Sequence, residues 1–204
     1  RLSGMTSMTI ADLTAKIKSG EVDTVVVAMT DMQGRLTGKR IHGTFFLDEV
    51  LKHGTEGCNY LLAVDVDMNT VDGYEMSSWE RGYSDFALVP DMDTLRMIDW
   101  QEGAALVLAD VQWLDHTDVV ASPRQILRKQ VKALKDAGME AMCGTELEFV
   151  VYKDTYEEAW NKGYKNLIPV NQYNVDYSIL GGSRIEPLLR RIRLSMAKAG
   201  MTVE

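Results

Sequence analysis

Cysteine is scarce in this chain: Cys58 and Cys143 are the only two among 204 residues. Two thiols cannot build a disulfide framework. Both lie in apolar surroundings, so they read as buried, reduced thiols of a cytoplasmic protein. Long hydrophobic runs are missing too; no stretch of about 18 apolar residues is present, so no transmembrane helix is expected. Basic residues are outnumbered, 22 Lys and Arg against 30 Asp and Glu, for a net charge of −8. An anionic chain is poorly suited to gripping phosphate backbones, and nucleic acid is not an expected partner. The three histidines, His42, His53 and His116, are far apart, with no Cys or His at ligand spacing, which argues against a zinc site. Neither a P-loop nor a Gly-x-Gly-x-x-Gly turn occurs, so any nucleotide must be bound by another kind of fold. Repeats, low-complexity tracts and a signal-peptide pattern are all lacking. What is present, 46% apolar and 25% charged residues, is the composition of a soluble globular protein and not of a disordered tail, a collagen or a coiled coil.

Thr9 and Asp12 have the spacing of a capping box, and Ile10, Leu13 and Ile17 fall on one helical face that Gly20 ends. Val22 to Thr30 is rich in β-branched residues and reads as a buried strand; Asp31 to Gly34 is a turn, and Arg35 to His42 the return arm of a hairpin. Phe46 to Lys52 reads as a short helix closed near Gly54. Asn59 to Val66 reads as an apolar strand, and Asp67 to Gly82 as a polar loop containing Tyr74 and Trp79. Asp85 to Pro90, Leu95 to Ile98 and Ala104 to Val111 complete a set of five or six strands. A composition shift at Asp115 to Ala121 marks a domain boundary. Ser122-Pro123 opens a helix with the stripe Leu127, Val131, Leu134, ended by Gly138. Met139 to Tyr152 reads as a strand, Lys153 to Asn171 as irregular, and Gln172 to Leu180 as extended. Ser183 with Glu186 has capping-box spacing ahead of a last helix faced by Ile185, Leu189, Ile192 and Met196, with Pro187 in its first turn. The polar start, Arg1 to Ser7, and a strand-like beginning at Thr202 suggest that the natural protein continues.

The sharpest local feature is Gly144-Thr145-Glu146-Leu147-Glu148-Phe149. On a strand, Glu146 and Glu148 share one face, roughly 7 Å apart, while Leu147, Phe149 and Val151 face the other way. Two hard oxygen ligands on one face suit Mg²⁺ or Mn²⁺; an acidic, solvated strand face has the same pattern. Asp65, Asp67, Asn69 and Asp72-Gly73 faintly mimic a Ca²⁺ loop but place Thr70 at the sixth position and Met76 at the twelfth, so they read as a polar loop. Arg184, Arg190, Arg191, Arg193 and Lys198 give the last helix a basic, solvated face.

Gly-Thr-Glu-Leu-Glu-Phe at 144–149 resembles the first metal-binding strand of the glutamine synthetase family. Further segments agree in order. Thr30 to Arg35 with Gly38-Lys39-Arg40 is similar to the first hairpin of that family's small β-grasp domain. Tyr83-Ser84-Asp85 and Leu88 to Arg96 resemble its Ser-Asp and Pro-Asp motifs. Trp100, Ala109-Asp110 and Ser122-Pro123-Arg124 fit the strand and helix that lead into its catalytic domain, and Gly200 to Glu204 resembles the segment before a further metal ligand.

The resemblance implies an α+β protein: a segment and helix over 1–21, a β-grasp domain over 22–114, and the truncated start of a glutamine-synthetase-type α/β catalytic domain over 121–204. It implies that Glu146 and Glu148 serve two divalent-metal sites (Mg²⁺ or Mn²⁺), that Glu204 lies against ATP, and that Tyr177 lines the ammonium pocket. Asn59 is the departure, because true glutamine synthetases carry an ammonium-binding aspartate at this offset. The implied activity is an ATP-dependent γ-glutamyl–amine ligase with an organic amine as acceptor. Glutamate, ATP and that amine are the implied substrates, and active sites between the subunits of a homo-oligomer the implied assembly. A glutamine synthetase using ammonia and a non-catalytic relative or assembly domain are the rival readings. The remaining family ligands are expected beyond Glu204, so the 204 residues alone are expected to be inactive.

Overall fold

The computed structural model describes residues 8–78, 80, 82–173 and 176–204. The polar start at 1–7, Trp79 and the middle of the expected extended segment 172–180 lie outside the described residues.

The first helix, α1 (Ile10–Ser19), starts as its sequence directs. Thr9 accepts from the Asp12 N–H, Asp12 returns the bond to the Thr9 N–H, and Gly20 ends the helix at φ 78°. Six strands follow: β1 (Thr24–Thr30), β2 (Leu36–His42), β3 (Thr55–Cys58), β4 (Asp85–Pro90), β5 (Arg96–Met97) and β6 (Ala104–Gln112). They form one mixed sheet in the order β2-β1-β6-β4-β3, with β5 also on β6. At its centre β1 runs parallel to β6, Val25 opposite Ala105 and Val27 opposite Val107, and the other pairings are antiparallel.

Period-two alternation sends Val25, Val27 and Met29 of β1 into the core. A helical segment, α2, closes over this core. It runs through Gly43–Phe45, a π turn at Phe46–Val50 and Leu51–His53, and buries Phe46 and Val50. Gly38 lets β2 lie close on β1, because a Cβ there would stand 2.0 Å from the Val27 carbonyl oxygen.

The stretch Asn59 to Val66 is not the strand its apolar run suggests. The strand is β3 just before it, and Asn59–Leu62 is a 3-10 turn. The run reflects burial of Leu62, Ala63 and Val64 beneath a loop, which a periodicity of two cannot tell from a short buried strand.

The hydrophobic cluster lies wholly between Leu13 and Val119. Beyond it come α3 (Pro123–Asp136), α4 (Tyr156–Asn161), α5 (Ile179–Ser183) and α6 (Glu186–Lys198). Residues 115–121 fold back onto the sheet, with the Val119 N–H bonded to the Val111 carbonyl and Val119 buried. The stripe of α3 stays uncovered, with Leu127 at 63% exposure.

Two anchors fix this second part to the sheet. At the first, Arg124 and Arg128 of α3 pair with Asp110 of β6 and with Asp91. At the second, Lys198 pairs with Asp99 at 2.9 Å, and Arg96 donates to the Ala199 carbonyl at 3.2 Å.

The expected strand at 139–152 does not form; only Tyr152 bridges, to Pro169. Alternating polarity marks a segment that could enter a sheet but supplies no neighbour, and a strand without a ladder leaves its backbone groups to water. The expected cap at Ser183 is displaced as well. Ser183 donates to the Ile179 carbonyl inside α5, and α6 starts after Ile185. Ser122 precedes α3 with Pro123 at its first position, but its hydroxyl makes no cap bond. Residues 201–204 form no regular element.

Candidate active site

The hairpin between β1 and β2 is closed by a buried carboxylate. Asp31, 1% exposed, accepts from the Gln33 and Arg35 N–H groups at 2.9 and 2.8 Å and from the Arg35 guanidinium at 2.7 Å. Burial works against its charge. The Arg35 side chain, the two backbone donors and the guanidinium charge outweigh that and hold the carboxyl below its usual range. The hairpin tip then grips the loop that follows β3. Gln33 Nε2 donates to the Val64 carbonyl at 3.1 Å, and Arg35 Nη1 to the Val66 carbonyl at 2.6 Å.

Asn59 sits at the base of that loop, 2% exposed. Its N–H donates to the Ser84 carbonyl at 2.8 Å. Its Nδ2 donates to the Met76 carbonyl at 3.0 Å and to Ser84 Oγ at 3.2 Å. Its Oδ1 is buried without a partner. The Asp65 carboxylate is taken up by its own loop, accepting from the N–H groups of Asp67 and Asn69 and from the Asn69 amide. Those bonds, Asn69's first, lower its pKa.

Glu146 and Glu148 lie on the exposed stretch without a ladder, flanked by Leu147 at 84% and Phe149 at 53% exposure. Among the described residues no group of three or more His, Cys, Asp or Glu stands close enough to hold a metal. The pair supplies hard oxygen donors, which fit Mg²⁺ or Mn²⁺, but only part of a six-oxygen shell. Phe149, next in the chain, opens onto a cavity of 640 Å³ that Val151, Asn171, Tyr177, Ile185 and Leu189 also line. Tyr177 is 98% exposed with φ 54°, a left-handed backbone state and not the extended one expected of 172–180. Glu204 is exposed. Phe149 and Tyr177 thus line one cavity. Glu146, Glu148, Asn59 and Glu204 are not among the residues that line it.

The thiols differ from the expectation: Cys143 is exposed and Cys58 half-buried, both free. Apolar neighbours in sequence do not bury a residue whose segment lacks a covering layer. The capping box Thr155 to Glu158, which starts α4 inside the stretch read as irregular, was missed; its Thr-x-x-Glu spacing was the available signal. No helix among the described residues is long and apolar enough to cross a membrane.

Residues 120–204 match the family model "Glutamine synthetase, catalytic domain". The chain is 62% identical over 195 residues to a gamma-glutamylethanolamide synthetase, GlnA4, of Streptomyces coelicolor, covering 96% of this chain and 42% of that protein. It is 32% identical over 188 residues to a glutamate–isopropylamine ligase of a Pseudomonas species, covering 92% of this chain and 41% of that protein. The solved structure of a GmaS/ADP complex superposes with a TM-score of 0.65 at 14% identity, over 94% of this chain and 40% of that one. Residues 120–204 thus match the glutamine synthetase family, and the chain is similar to these relatives over most of its own length. It spans about two fifths of the length of these relatives.

Proposed function

We propose that the protein carrying this chain is an ATP-dependent γ-glutamyl–amine ligase whose acceptor is an organic amine, a small amino alcohol or a polyamine, in preference to ammonia. The observation that carries this is the 62% identity, across 96% of the chain, to an ethanolamide-forming enzyme. The isopropylamine ligase, at 32%, adds a second organic acceptor. We read residues 22–114 as a β-grasp domain, 1–21 as its leading segment and helix, and 121–204 as the first part of the catalytic domain. The parallel pairing of β1 and β6 at the centre of the sheet, with α2 across it, supports the β-grasp reading.

In this reading an oxygen of glutamate's γ-carboxylate attacks the γ-phosphorus of ATP, and the bond to the β–γ bridging oxygen breaks to release ADP. The amine nitrogen then attacks the acyl carbon of γ-glutamyl phosphate. Inorganic phosphate leaves, and the nitrogen gives up a proton. Carboxylate and triphosphate repel each other, and divalent ions held by fixed carboxylates neutralise that charge. Glu146 and Glu148 are the residues assigned to hold Mg²⁺ or Mn²⁺, Glu204 to lie against the nucleotide and Tyr177 to line the amine pocket. Asn59 is uncharged at the offset where the resemblance places a carboxylate, so this position offers ammonium neither an attracting charge nor a base, which is in keeping with an organic acceptor. The protein is read as a cytoplasmic homo-oligomer with active sites between subunits.

The test is phosphate release from glutamate, ATP and Mg²⁺ with and without ethanolamine. The protein carrying this chain releases phosphate in an amine-dependent way, and the 204 residues alone do not. No phosphate release with any amine would replace this reading with that of a non-catalytic relative.

A further inference from the structure

Asn59 stands where the resemblance places an amine-binding group, yet the structure closes that position off. Its backbone N–H and its side-chain amide both point inward. Between them they tie the end of β3 to two points further along the chain, Met76 and Ser84. The described residues between 60 and 83 are thereby drawn into a closed loop. Inside it the Val71 N–H meets the Ala63 carbonyl, and Val64 bridges Thr70. Its outer part is held by Gln33 and Arg35, as described above. The loop exposes Val66 at 67%, Met68 at 42% and Tyr74 at 47%, interleaved with the exposed polar residues Asp67, Asn69, Asp72 and Glu75.

The chemistry of the Met76 contact fixes the residue type. A carbonyl oxygen only accepts, so its partner must donate. A carboxamide does. An ionised carboxylate of the same shape has no donor and would set two acceptors face to face in a site with 2% exposure, where an unpaired charge is costly. A protonated carboxyl regains one donor.

We propose that Asn59 is a positioning residue, a buried carboxamide that closes the 59–84 loop by donating to the Met76 carbonyl and acts on the acceptor amine through that loop rather than by touching it. This rests on the ligase reading for what the loop serves, and on the hydrogen bonds alone for how the loop is held. It follows that Asn59→Asp does not restore an ammonium site.

The experiment is amide hydrogen exchange on the chain with Asn59, Asn59→Ala and Asn59→Asp, each compared with the unsubstituted chain at pH 5 and at pH 7.5. Cys58, Tyr60, Glu75, Tyr83 and Asp85, the titratable groups on the segments that meet position 59, are common to all three and cancel in that comparison. Asn59→Ala removes both side-chain hydrogen bonds and speeds exchange across 60–83 by at least about tenfold at both pH values, and leaves β1 and β6 unchanged. Asn59→Asp loses protection at pH 7.5 and regains it at pH 5, because burial raises the carboxyl pKa and the protonated group donates again. If Asn59→Asp does not fold at pH 7.5, refolding at pH 5 is the supporting result and failure at both values the contrary one. Full protection of Asn59→Asp at pH 7.5, or identical behaviour of the two variants at both pH values, overturns the proposal. Ligase activity plays no part in this readout, so failure of the ligase reading leaves it interpretable. In the protein carrying this chain, the same view expects Asn59→Asp to lower kcat/KM for ammonia and ethanolamine alike. A selective gain for ammonia would contradict it.

Discussion

Arg124 Nε donates to Asp110 Oδ1 at 2.8 Å, tying the first turn of α3 to β6. Arg128 reaches the other oxygen of the same carboxylate at 2.6 Å, and both guanidiniums also meet Asp91. The Asp110 side chain is 11% exposed and that of Arg124 20%. Removing one member leaves a partly buried charge without its partner, which costs more than losing a surface pair and less than breaking a fully buried one. Arg124→Ala is expected to destabilise by about 1–3 kcal/mol in urea unfolding. A double-mutant cycle with Asp110→Ala should show coupling of at least about 0.5 kcal/mol. Strict additivity would show that the contact does not anchor α3.

Asp31 gives the fold an acid-sensitive point. Its folded pKa is depressed, so its contribution is present above the unfolded aspartate value of about 3.9 and is lost as pH falls through the lower folded value. Asp31→Asn should lower stability at pH 7 by about 1–3 kcal/mol, the range for a hydrogen bond to a charged group. It should also flatten the loss of stability below pH 4. The check is a pH series of urea midpoints. A variant that keeps the original slope between pH 4 and pH 2 would place the acid sensitivity elsewhere.

Glu146 and Glu148 are exposed, so replacing either with Gln should leave the unfolding of the sheet unchanged. In the protein carrying this chain, either substitution should raise the Mg²⁺ concentration for half-maximal phosphate release by at least about tenfold. An unchanged Mg²⁺ requirement would return the pair to an acidic surface.

Much of residues 8–112 was legible because each local signal agrees with the packing. The Thr9–Asp12 box, the β-branched run from Val22 and the Asp31–Gly34 turn lead to α1, β1 and the hairpin, and the long-range sheet then buries what alternation marked. The Asn59–Val66 run misled because apolar residues beneath a loop and in a short strand look alike in sequence. Residues 139–150 misled for another reason: their alternation is genuine, but a ladder needs a neighbour, which no local pattern specifies. The Glu146–Glu148 pair could be picked out by type and spacing. The burial of Asn59 could not, because it depends on Met76 and Ser84, 17 and 25 residues away.

The central claim is the nature of the acceptor. Its most direct measurement is a competition, with equal concentrations of ammonia and ethanolamine offered together with glutamate, ATP and Mg²⁺ to the protein carrying this chain, and the amides separated by mass. The ratio of the two products equals the ratio of the two kcat/KM values. The account predicts γ-glutamylethanolamide, or with a polyamine in its place the corresponding γ-glutamylpolyamine, in excess over glutamine. Glutamine as the main product against both amines would contradict it.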